Sequence, residues 1–418
     1  MSDPCADAIA QVDETLVVDL SQRALQTPSM SGEEKPVAEL FAESMNSVGM
    51  DATLQEVPGD HYMPTSWNAV GRLAGKGGGL SVMFNGHIDH NPVCEGWTKD
   101  PFGGVIEDGW LYGFVHMKAA DACYVAAVDE VKKAGIDLLG DVVITHVCGE
   151  LRGGTGTKHA LESGITADYF VLGEPTELEI ATNHSALVLF DIHVLGTMKH
   201  YATADVPGRK GVNAVEKVAK VIAAIGTSHR PLPSRENGGW LSFTPSERFS
   251  GLPQINLGSI RGGISRSYDR SRPALMPDVA SLTVDLRLIP GMTRESVEAD
   301  IRYLLDGIKA EDPDFRYEIE FAADMFPHVY DDPPDSEVVK SVVANHELVT
   351  GATPPESELL KYAASDASWM SRAGIPGIVY GPTGKYLSRP DERGSIEDLV
   401  TATKVYAGVI ADLCTRPK

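Results

Sequence analysis

Apolar positions along this chain follow two rhythms, and the change between them divides it. An amphipathic helix opens the first ninety residues. SGEE at 31–34 then reads as a capping box starting a second helix, PVAELFAESMNSV, and two short strands follow, DATLQEV and WNAVGRLAG. From residue 80 the pattern becomes α/β. LSVMFNGHID, DVVITHVCGE and ADYFVLGEPT are continuous apolar runs of strand length, separated by the helical stretches KAADACYVAAVDEVKKAG and TGTKHALESG. Such runs suit strands of a sheet covered on both faces.

Beyond Asn183 the order is strand ALVLFDIHVLG, helix GVNAVEKVAKVIAAIG, strands QINLGSIRG and SLTVDLRLIPG, helix ESVEADIRYLLDGIKAE and strand RYEIEFAA. This βαββαβ order predicts a small ferredoxin-like sandwich. FPHVYDDPPD marks a domain crossing, after which SEVVKSVVANHELV, GIPGIVYGPTG and SIEDLVTATKVYAGVIADL return to α/β. The expectation is an α/β catalytic domain with a mixed central sheet, split into 1–185 and 328–418 around an inserted domain at 186–327.

Composition narrows the partners. A formal net charge of −23 on 418 residues repels phosphate backbones and anionic lipid, and no basic block offsets it. Neither nucleic acid nor a membrane is expected as a partner, and a small molecule is. The start, MSDPCADAIA, carries acids where a secretory signal needs a basic and then an apolar segment, and no apolar run reaches spanning length, so a cytoplasmic location is expected. The five cysteines are widely spaced without a CxxC, which predicts reduced thiols.

Ionisable groups gather where the apolar runs end: His87 and Asp89 after the first, Glu150 after the second, Glu174 after the third. Ligands of open α/β sheets bind outside the carboxyl ends of strands, so these residues point to one crevice. His116, in GWLYGFVHMKAAD, lies between the first two of these strands, just ahead of a helix. A lone histidine in an apolar setting is ordinarily hydrogen-bonded structure, and a single strand-end glutamate can simply cap the next helix. Four such groups at comparable strand ends carry more weight. Asp89 shares a strand face with His87 and is placed to hold its imidazole.

These residues resemble the M20 family of metallopeptidases and amidohydrolases. The likeness lies in GHID at 86–89, WTKDPFGGVIEDGWLYG at 97–113, GEPT at 173–176, SDASWMSRAGIPGIVYGPTG at 365–384 and RPDER at 389–393. The resemblance implies a zinc-peptidase-like catalytic domain with an inserted lid and dimerisation domain, and therefore a homodimer or higher homo-oligomer. Members usually hold two zinc-like ions. Carried over by position, His87 and Glu174 retain one ion's own ligands, the bridging Asp falls on His116, and the second ion's ligands fall on Leu151 and Ser388. A bridging carboxylate is needed only between two cations; once the second site is gone, an imidazole can complete the first. The expectation is one divalent transition metal per subunit (Mn, Zn, Co or Fe) on His87, His116 and Glu174. Glu150 takes the place of the family's catalytic base, and His200 that of a lid histidine that steadies charge in the neighbouring subunit's site.

With one ion, an activated substrate is expected. The chain also resembles the family's aminohydrolases that replace a ring amine by hydroxyl, which implies conversion of 5-nitroanthranilate to 5-nitrosalicylate and ammonia in aromatic degradation. Arg287, Arg389 and Gly384 are the candidate substrate-binding residues. An ordinary M20 amidase or dipeptidase acting on N-acyl amino acids or peptides is the alternative reading, and a non-catalytic binding protein on the same fold is a third.

Overall fold

The computed structural model describes residues 3–10, 12–59, 63–203, 210–226, 231–268, 274–322, 325–358 and 360–418. The chain forms two compact units, Met1–His184 with Tyr330–Lys418, and Ser185–Val329.

The first unit is built on a six-stranded mixed sheet. Its strands lie in the order Asp51–Val57, Ser66–Leu73, Val142–Val147, Val82–His87, Tyr169–Leu172 and Gly377–Val379. The last four run parallel, and the first two join as an antiparallel edge. Every residue of Val82–His87 and Val142–Val147 is buried, as continuous apolar runs between helical layers should be. The helix Lys118–Lys133 packs closely through Ala119, Ala120, Ala122, Ala126 and Ala127, and the apolar helix Ile396–Leu413 lies against it. Parallel register leaves the carboxyl ends of three neighbouring strands side by side. His87, Glu150 and Glu174 lie at that end of the sheet.

Two features depart from the sequence reading. The capping box at 31–34 does not form: Glu34 stands at the N-cap of Lys35–Ser47 in helical conformation without a side-chain cap bond. Its carboxylate turns into the core instead, and Ser31 bonds to Asp89. Unforeseen, too, is a small antiparallel sheet in the order Gly384–Lys385, Arg393–Ser395, Trp110–Tyr112 and Val105–Glu107. It ties residues 384–395 to the approach to His116.

The second unit has a four-stranded antiparallel sheet in the order Gln254–Gly263, Val279–Leu288, Ala186–Leu195 and Arg316–Phe321. The helices Ala214–Ile225 and Arg294–Glu311 complete the βαββαβ sequence. Val218, Val221 and Ile225 of one helix and Val297, Ile301 and Leu305 of the other are buried at helical spacing.

Candidate metal centre

His87 is the last residue of its strand and is buried. Its Nδ1 donates to the Asp89 carbonyl at 3.0 Å and lies 3.3 Å from Asp89 Oδ1. That fixes the ring and leaves Nε2 buried with no hydrogen-bond partner. Nε2 faces Glu174 Oε1 at 3.9 Å. Glu174, just past Tyr169–Leu172, places Oε2 at 2.7 Å from His116 Nε2. The two imidazoles lie 4.9 Å apart, nearly edge to face at 74°. The peptide N–H of His116 donates to Glu392 Oε1 at 2.9 Å, which holds the loop ahead of Lys118–Lys133 in place.

One ligand atom from each of His87, His116 and Glu174 thus lies within 4.8 Å of the others. Ligands about 2.0–2.2 Å from a tetrahedral cation stand about 3.4 Å apart, a distance bracketed by the 2.7 and 3.9 Å contacts here. A partnerless buried imidazole nitrogen facing a carboxylate and a second imidazole fits a divalent cation. The neighbouring positions Leu151 and Ser388 bring no ligand: the first is apolar, and the second accepts a hydrogen bond from Asn91 Nδ2 at 2.8 Å.

Electrostatics favour positive charge in this crevice. Burial pulls the His87 imidazole down, but the Asp89 hydrogen bond and the carboxylates of Glu150 and Glu174 outweigh it and hold its pKa well above the ordinary value. Burial likewise opposes ionisation of Glu174, yet His116 keeps its carboxyl below the usual range. Glu150, buried at the head of the turn Glu150–Arg152, is pushed well above that range by burial, with Glu174, Asp366 and Asp89 adding to the effect against His87. Gly149, at φ +67°, supplies the left-handed residue that turns the chain sharply after its strand. Asp89 accepts from the Glu150 and Leu151 peptide N–H groups at 3.1 and 3.2 Å and from Ser31 Oγ at 2.7 Å, so it holds both an imidazole and the Glu150 turn.

The other expected residues fall elsewhere. Gly384 lies where a Cβ would come 2.5 Å from Leu387 Cδ2 and 3.1 Å from Pro175, the residue after Glu174. Arg389 is exposed over the Tyr386 ring at 5.8 Å. His200 and Arg287 belong to the second unit. His200 is exposed and stacks on Tyr201 at 5.5 Å, while Arg287 makes two 2.9 Å bonds to Asp285 that engage its guanidinium. Glu34, Asp366 and Glu392 were not singled out as individuals. Asp366 is fully buried, and burial pushes it up to about 7. The acids sat inside SGEE, SDASW and RPDER, and their types alone signalled nothing beyond a cap or a surface turn.

A family model for peptidase family M20/M25/M40 matches residues 83–412. The N-formyl-4-amino-5-aminomethyl-2-methylpyrimidine deformylase of Bacillus subtilis (strain 168) is 27% identical over 439 residues, spanning 99% of this chain and 96% of that protein. A succinyl-diaminopimelate desuccinylase of Magnetococcus marinus is 25% identical over 412 residues, spanning 95% of this chain and 98% of that protein. Among solved structures, the di-peptidase Dug1p of Saccharomyces cerevisiae is similar with a TM-score of 0.78 at 14% identity, over 100% of both chains. At that identity the likeness is one of fold.

Proposed function

The chain belongs to peptidase family M20/M25/M40, and from that premise we propose that it hydrolyses a C–N bond of a small carboxylate-bearing substrate with one divalent ion on His87, His116 and Glu174. It is a hydrolase acting on C–N bonds, as its relatives are. The observation that carries the single-ion reading is the buried Nε2 of His87, partnerless and facing Glu174 and His116. Mn²⁺, Zn²⁺, Co²⁺ and Fe²⁺ all suit two imidazoles and a carboxylate. Such an ion supplies Lewis acidity, lowering the pKa of a water so that it is a nucleophile near neutral pH.

The chain's own groups do the rest. Glu150 takes a proton from the attacking water and returns it to the leaving nitrogen; its raised pKa suits a group that must hold that proton in between. Asp89 keeps the His87 ring in one orientation. With 5-nitroanthranilate, the substrate we put forward, water oxygen adds at the amine-bearing carbon, the para nitro group takes up the negative charge, the C–N bond breaks, and ammonia leaves behind 5-nitrosalicylate. Arg389, exposed beside Tyr386, and Gly384, packed on the Glu174 loop, are the positions assigned to substrate. His200 is assigned to steady developing charge in the neighbouring subunit of a homodimer built through Ser185–Val329. We place the reaction in the cytoplasm, a reading supported by five free thiols; among the described residues no helix is long and apolar enough to cross a membrane.

The relatives' names favour a second reading, release of an acyl group from an amide nitrogen. Ammonia from 5-nitroanthranilate, and amine from N-formyl, N-succinyl and dipeptide substrates, are to be measured with and without Mn²⁺ or Zn²⁺, beside Glu150→Gln and a metal count per chain. The proposal expects one ion, metal-dependent ammonia release, and a loss on the order of 10²–10⁴-fold in the variant. Two ions per chain would end the single-ion reading, turnover of the amides alone would establish the second reading, and full turnover in Glu150→Gln would remove the base.

A further inference from the structure

Three successive backbone N–H groups where the chain turns at Glu150 end on buried carboxylates. Gly149 N–H donates to Glu34 Oε1 at 3.1 Å, Glu150 N–H to Asp89 Oδ1 at 3.1 Å, and Leu151 N–H to Asp89 Oδ2 at 3.2 Å. Both acids are fully buried. Glu34 is in turn held through Oε2, which accepts from Gly32 N–H at 2.7 Å and from the hydroxyl of Ser66. Two acids sharing a dry pocket are costly: burial and the nearby Asp89 push the Glu34 carboxyl up to about 7. The helix that starts at Lys35 gains no side-chain cap from it. The turn is a left-handed glycine followed by three residues of 3-10 helix; its internal bonds run from the Arg152, Gly153 and Gly154 N–H groups to the Gly149 and Glu150 carbonyls and leave amides 149–151 to the two acids.

We propose that Glu34 is a positioning residue for Glu150: with Asp89 it clamps the Gly149–Leu151 turn, so that the side chain of the base is presented to substrate in one place. The proposal rests on Glu150 being the base. Asp89 also holds His87, so replacing it disturbs the metal ligand and the turn together. Glu34 bonds to the turn, to Ser66 and to Gly32 but to none of the three ligands, and therefore isolates the turn's contribution. A glutamine there keeps the shape but has a single acceptor oxygen for donors that now use both carboxylate oxygens.

The test uses the full chain, first without metal. Hydrogen exchange at amides 149–151 is compared between the native protein and Glu34→Gln, with Ser66→Ala as a milder variant should the first fail to fold. Expected is exchange roughly tenfold or more faster at these amides, with the strand Val82–His87 unchanged. Zn²⁺ affinity should be unaltered, and kcat should fall about 10- to 100-fold at unchanged KM. Unchanged exchange, unchanged kcat, or a loss of Zn²⁺ affinity equal to the loss of kcat would each overturn the clamp. Glu150→Gln in the same assays separates the failures. Retained turnover there removes the base assignment, while the exchange comparison still decides what Glu34 holds.

Discussion

The two units treat charge in opposite ways. In the first, His87, Asp89, Glu150 and Glu174 at the strand ends and Asp366 at a helix start are all buried, and His87 Nε2 lacks a hydrogen-bond partner. In the second, charge is spent on local pairs: Arg302 with Glu298 one helical turn away, Arg287 with Asp285 two residues along its strand, and Lys217 and Lys220 on Asp312. The exposed Arg302–Glu298 pair contributes about 0–1 kcal/mol and costs little to form, and the buried Asp312 is satisfied by two lysines. Burying an ionisable group without a partner costs several kcal/mol and is retained where a ligand completes it. The proposed site is therefore marked by a ligand-ready nitrogen facing a carboxylate and a second imidazole in a dry crevice, which a count of charged residues does not show.

The sharpest way to break this contrast is at His116. Its replacement by alanine removes one of the three proposed ligands, and Zn²⁺ affinity measured by calorimetry should fall by more than about a hundredfold, since partners one shell further out already cost about 10–100-fold. Unchanged affinity would mean that the 2.7 Å contact with Glu174 is a structural hydrogen bond and no more. Asp89→Asn is expected to cost less, about 10- to 100-fold in Zn²⁺ affinity, because it leaves all three ligands and disturbs the orientation of His87. It should also speed exchange at amides 150 and 151, and slow exchange there would show that Asp89 serves the imidazole alone.

The smallest effect belongs to the second unit. Asp312 is held down at about 2 by hydrogen bonds from Lys217 and Lys220. A depressed carboxyl stabilises the fold fully above its unfolded value near 3.9 and loses that contribution as pH falls through about 2. Asp312→Asn should therefore cost at most about 2.6 kcal/mol in urea unfolding at neutral pH, the ceiling set by that difference in pKa, and less where the exposed Lys220 is screened by solvent. The difference from the native chain should shrink below about pH 4 and vanish near pH 2; a gap that persists in acid would assign the effect to packing.

The alternation of strand and helix, the βαββαβ order of the second unit and the placing of His87, Glu150 and Glu174 at strand ends were legible in the sequence, because each depends on periodicity within a dozen residues. Parallel register does the rest by bringing those ends together. His116 was legible as a ligand candidate through its place in a family pattern, since its apolar setting speaks for structure. What each group touches was not legible. SGEE satisfies the local rule for a capping box, yet Ser31 and Glu34 bond to Asp89, Ser66 and a peptide N–H 115 residues away. The small sheet that joins residues 384–395 to 105–112, and the Glu392 hydrogen bond to His116, are contacts of the same long-range kind. A local pattern states which bonds a residue is able to make; where a helix N-terminus left to solvent and a buried N–H compete for one carboxylate, only the folded chain decides, because leaving the buried donor unpaired costs more.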